Sequence, residues 1–131
     1  MKRRLLILTC IVGLEANAGS VDLMWADGND YFNNCSNIRS RQDDVAMACY
    51  IASSNSFSAG QMLVATLKDI NVIKYGAHYK MGMLNGVDAH LQLISHLQKY
   101  PEQRNFKLVT LSAAAVLENY PVPDSLIKEL R

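Results

Sequence analysis

The sequence predicts an all-α protein: a small bundle of four to five helices, closed by one intrachain disulfide and paired as a dimer. Three observations carry this. Apolar residues recur at three- and four-residue steps in four separate segments. Two cysteines, Cys35 and Cys49, fall one at the end of a predicted helix and one inside the next. A helix near the C-terminus is apolar on both faces, which makes it either central in the core or shared with a second subunit.

The 131 residues fit a leader and one domain, and 50% hydrophobic with 19% charged residues is the balance of an ordinary globule. Lys2, Arg3 and Arg4 precede an apolar run, Leu5 to Leu14, and a small-x-small site follows at Ala16-Asn17-Ala18. This is the pattern of a signal peptide over residues 1–18, with cleavage near Ala18 and a mature domain over residues 19–131. The apolar run is about half of the roughly 20 residues a spanning helix needs. Lipid modification at Cys10 is the alternative. It is disfavoured because Thr9 is bulkier than the small residue expected before a modified cysteine. The expected compartment is the periplasm, where disulfides persist, so Cys35 and Cys49 are expected to pair, two buried thiols being the other possibility. A cross-link over that spacing is worth roughly 3 kcal/mol in the chain-entropy account.

The leader holds three of the 13 basic residues and only Glu15 of the 12 acidic ones. Without it the domain is slightly acidic, so no basic field points to nucleic acid or to an anionic membrane.

Along the mature chain, residues 19–26 lead in, with Trp25 placed on the fold. Asp27 is read as an N-cap for a short helix ending at Cys35, with Tyr31, Phe32 and Cys35 at helical spacing. NIRSRQ then breaks the period. A longer helix is expected from near Gln42 to about Leu67: Asp43 and Asp44 suit its positive end, and Val45, Ala46, Cys49, Tyr50 and Ser53 follow in register. The poor helix formers from Ser56 to Gly60 predict a kink. From Ile70 to Gly86 the glycines at 76, 82 and 86 predict a long loop, with a short strand at Asn71 to Lys74. Periodicity returns at Val87, where Val87, Leu91, Ile94 and Leu97 form the expected stripe and His90, Gln92 and Ser95 lie off it. Pro101 ends that helix. Asn105 is the expected cap of the two-faced helix running to Tyr120, and Asp124 of a last turn to Leu130.

Catalytic groupings are not legible. His90 and His96 are six apart, which puts them on different sides of a helix and rules out an i, i+4 ligand pair. The two mature cysteines are better explained by each other than by a Cys–His nucleophile. Asp43-Asp44 reads as helix N-terminal acids rather than as an acid/base pair. No catalytic residue, metal ligand or cofactor is expected. The segment most open to function is the predicted loop carrying Lys74, Tyr75, His78, Tyr79 and Lys80: tyrosines give large contact area at low entropic cost. A solvated connector with its tyrosines folded back onto the core is the other reading.

Several of these runs resemble one family. Tyr100-Pro101-Glu102, then Ala113-Ala114-Ala115 through Tyr120-Pro121, is similar to the C-terminal half of the immunity proteins that bacteria keep against type VI secretion amidase effectors, the Tai and resistance-associated group. Gly28-Asn29 leading to Cys35, and Cys49 followed by Tyr50-Ile51, extend the likeness over about Asp27 to Pro121. The chain departs in having Tyr50 directly after the cysteine and Val122-Pro123 where a further cysteine is common. The resemblance implies an all-α periplasmic homodimer that binds a peptidoglycan amidase from neighbouring or sister cells and covers its catalytic cysteine and histidine. It implies no chemistry by the inhibitor. The element expected to enter the enzyme is Lys74 to Leu84, with Lys74, Tyr75, His78, Tyr79 and Lys80 as the contacts. The alternative function is a periplasmic holdase chaperone or stress protein of the small disulfide-bonded helical type.

Overall fold

Asp27 and Asp43 both cap helices in the computed structural model, which describes residues 26–38 and 43–128. The Asp27 carboxylate accepts from the Asp30 amide at 2.9 Å and that of Asp43 from the Ala46 amide at 3.0 Å. Each satisfies one of the amides that a helix start leaves without an internal partner. The helices are α1 (Gly28–Cys35), α2 (Asp44–Leu67), α3 (Val72–His78), α4 (Gly86–Lys99), α5 (Leu108–Asn119) and α6 (Asp124–Lys128), with 3₁₀ turns at Met81–Met83 and Pro101–Gln103. No strand occurs among the described residues, and the Cys35–Cys49 disulfide is formed. The leader, Trp25, the break after Ile38 and the final residues lie outside the described residues.

The all-α expectation holds, and α2 is its organising element. It packs on α1, α3, α4 and α5. It also spans two apolar clusters. The first gathers Tyr31, Cys35, Ile38, Cys49, Leu93, Leu97, Leu108 and Leu111; the second gathers Phe57, Val64, Ile70, Tyr75, Met81, Ala113 and Val116. The expected kink at Ser56 to Gly60 gives way to one continuous helix of 24 residues. The reason is the crossing with α5. A Cβ on Gly60 would stand 2.7 Å from the Ala113 nitrogen and 2.8 Å from the Ser112 carbonyl carbon. The small residues of this stretch therefore let two backbones approach, and burial overrides their weak helix propensity.

Helix α4 is rotated from the expected stripe. Val87 and Leu91 are 44% and 39% exposed, whereas Ala89, His90, Leu93, Ile94, His96 and Leu97 are buried. Polarity placed His90 outside, but the Tyr31 hydroxyl lies 2.6 Å from its Nδ1 and satisfies it within the core. Burial lowers the His90 pKa and keeps the ring neutral.

Helix α5 begins at Leu108 rather than after Asn105, because the preceding residues are held by the start of α1. The Gly28 amide donates to the Phe106 carbonyl at 3.0 Å, Asn29 to Arg104 at 2.8 Å, and Leu108 to Ala26 at 3.2 Å. Phe106 consequently points outward, 52% exposed. Both apolar faces of α5 are used inside this chain, with Leu108, Leu111, Ser112, Ala113, Ala115 and Val116 buried against α2, α4 and α1.

Candidate functional site

The expected loop of residues 70–86 is a folded corner. Its core is helix α3, capped by Asn71, whose side chain accepts from the amides of Ile73 at 3.0 Å and Lys74 at 3.1 Å. The glycines misled the sequence reading; Val72, Tyr75, Gly76 and Tyr79 recur at helical spacing and form the inward side. Asp69 and Lys80, with φ of 53° and 54°, turn the chain into and out of the corner in the left-handed region that non-glycine residues seldom adopt.

Of the expected contact residues, Tyr75 is fully buried, so it offers a partner no surface. Its hydroxyl donates to the Tyr120 carbonyl, and the half-buried Tyr79 donates to the carbonyl of Pro121. The Gln92 amide in turn donates to the Tyr120 hydroxyl at 2.8 Å. Edge-on ring contacts join Tyr75 to Tyr79 at 5.8 Å and Tyr79 to Tyr120 at 5.4 Å. Desolvation first, then the neighbouring phenols of Tyr79 and Tyr120, pushes the Tyr75 pKa up to about 12, so it stays a donor at neutral pH. These tyrosines fasten α3 to the end of α5.

Lys74, His78 and Lys80 are exposed. Sequence reasoning missed their apolar companions, Ile73 and Met83, which are 78% and 79% exposed. The signal was available, since Ile73 falls opposite Tyr75 once 72–78 is read as a helix. Ile73 and Met83, with Gln61, Gly76, Lys80 and Gly82, border an open groove of about 520 Å³. Between Asp69 and Asp88 the chain has two lysines and one histidine but no carboxylate, so the corner is basic and apolar together.

The other polar clusters maintain the fold. His96 bridges the Glu118 carboxylate, 3.0 Å from Nδ1, and the Gln103 side-chain oxygen, 3.1 Å from Nε2. Arg104 stacks 3.7 Å over the Phe32 ring and donates from Nε to the Leu97 carbonyl at 2.8 Å. No group of three or more His, Cys, Asp or Glu residues that could hold a metal occurs among the described residues. Nor is any described helix long and apolar enough to cross a membrane.

The segments behind the family resemblance therefore have structural uses. Tyr50 packs edge-on against His90, Tyr100 lies tilted against His96, and Tyr120-Pro121 receives both phenols of the corner. Comparison with protein-family models, curated proteins and solved structures finds no match to this chain.

Proposed function

We propose that this chain is a periplasmic immunity protein that binds a type VI secretion peptidoglycan amidase effector and occludes its active site, protecting the cell that makes it and its kin. The observation that carries the reading is the α3 corner: exposed Ile73 and Met83 beside Lys80, on a helix anchored through Tyr75 and Tyr79. An apolar and cationic corner that is already ordered loses little entropy when it docks on a partner. Occlusion asks no chemistry of it. Exclusion of substrate from the enzyme's cysteine and histidine is sufficient. The order of the Cys35, Cys49-Tyr50, Tyr100-Pro101-Glu102 and Tyr120-Pro121 segments supports the choice of partner.

The test is stoichiometric inhibition of peptidoglycan cleavage by an amidase encoded beside this protein. Undiminished turnover at a molar excess of the mature chain rejects the proposal. Because Tyr75 and Tyr79 support the corner, contact is probed at Ile73 and Met83: alanine at both should weaken the complex by about 2 kcal/mol or more while the fold is retained.

One observation favours the second reading, a holdase chaperone. Buried neutral His90 makes the α1–α2–α4 core sensitive to acid, the condition under which such chaperones expose apolar surface. Suppression of client aggregation at pH 4 but not at pH 7 would select it over the immunity reading.

A further inference from the structure

Gly82 differs from every other described glycine. A Cβ would meet Leu111 Cδ1 at 2.6 Å on Gly28, the Ala113 nitrogen at 2.7 Å on Gly60 and the Tyr50 carbonyl oxygen at 2.9 Å on Gly86. On Gly76 it would meet the Gln61 amide at 2.5 Å. On Gly82 it would meet nothing within 4 Å, and no described glycine has positive φ. The fold therefore makes no use of the missing side chain at Gly82, although a glycine in a helical turn costs stability. Its place is on the wall of the groove, between exposed Met83 and Lys80. A bare backbone there serves the approach of another chain.

Charge and polarity narrow the visitor. Ile73 and Met83 supply apolar walls, and Lys80 is the one charged group on the lining, with no carboxylate from Ile70 to Val87 to compensate it. The Gln61 amide lies over Gly76 on the groove wall, where it can meet a peptide group. A second copy meeting this corner face to face would bring lysine against lysine.

We infer that the groove receives an extended segment of a partner protein, which seats an apolar side chain between Ile73 and Met83, passes its main chain over Gly82 and sets a carboxylate against Lys80. The identity of that partner as an amidase rests on the function proposed above; the groove's chemistry does not.

The test is a titration of the mature protein, followed by amide chemical shifts, with two blocked peptides sharing a Leu-Phe-Gly centre, one flanked by Glu and one by Lys. The Glu peptide should shift Ile73, Gly82 and Met83 saturably, and the Lys peptide should bind about tenfold more weakly. Gly82→Leu should abolish the response and Gly82→Ala weaken it, with thermal midpoints unchanged; Lys80→Gln should erase the preference between peptides. Equal binding of the two peptides, the absence of saturable shifts, or a Gly82→Leu protein that titrates like the parent would overturn the inference. A concentration-dependent dimer lost in Gly82→Leu would also overturn it, by giving the groove to a second copy. Amidase inhibition that survives Gly82→Leu removes the groove and leaves the immunity reading. Peptide binding without any amidase complex does the reverse.

Discussion

The two ends of α2 are secured by different means. At its N-terminal end a covalent bond ties Cys49 to Cys35, and fully buried Tyr31, Ile38, Leu93 and Leu97 close around it. At its C-terminal end α3 is attached by two phenolic hydroxyls reaching carbonyls just past α5, among half-buried side chains such as Tyr79, Leu84 and Tyr120. The first end is cross-linked and dry. The second is held by directional bonds at the edge of the core, and it carries the most exposed large apolar groups, Leu67, Ile73 and Met83, although Met47 at the first end is also exposed. Hydrogen bonds thus fix the corner's orientation without hiding its outer face.

The largest effect expected from breaking this contrast is at the covalent end. Replacing Cys35 and Cys49 by serine, or adding reductant, should lower stability by about 3 kcal/mol, read from the urea midpoint. A loss below about 1 kcal/mol would mean that apolar contacts alone hold α1 to α2. Next comes the crossing that couples the ends. Gly60→Ala drives a methyl into the backbone of Ser112 and Ala113, and should cost about 2 kcal/mol because helices cannot yield as side chains do. At the corner, Tyr75→Phe removes the donor to the Tyr120 carbonyl and should cost about 1 kcal/mol in the same measurement. An unchanged midpoint would show that ring packing, not the hydroxyl, attaches α3.

The smallest effect is on pH dependence. The folded-state pKa of His90 is lowered from 6.5, so the unfolded chain takes up a proton first. The stabilisation is complete above pH 6.5 and declines as pH falls below it. Urea midpoints at pH 7.5 and pH 5 should differ in that direction, and His90→Gln should flatten the dependence. The Glu118 carboxyl, held below its ordinary value of 4.5 first by its hydrogen bond from Lys99 and then by His96, acts only at lower pH, where its ion pair with Lys99 is lost. The two contributions are therefore separable along one titration.

The starts of α1 and α2 and the disulfide were legible because they follow from local chemistry. Asp27 and Asp43 announce helices, and the cysteine spacing suits adjacent ones. What escaped was set by tertiary contacts. The inward turn of His90 depends on Tyr31, 59 positions away in sequence, and the start of α5 depends on carbonyls taken by the amides of α1. Three glycines made residues 70–86 read as a loop, yet Gly86 sits where the Tyr50 carbonyl oxygen leaves no room for a side chain, and Gly76 lies against the movable end of Gln61. Lys74, His78 and Lys80 are exposed, whereas Tyr75 belongs to the scaffold. The presence of Ile73 and Met83 on one groove depends on the left-handed turn at Lys80, which nothing in the local sequence dictates.

That turn and its counterpart at Asp69 bracket α3 with two strained joints. Letting go of two phenols would release the intervening turns as a unit, while the long helix and its disulfide-linked neighbour stayed folded. Backbone amides of residues 72–78 should therefore trade their hydrogens for deuterium well before those around Cys49, and occupancy of the outer face should slow that trade.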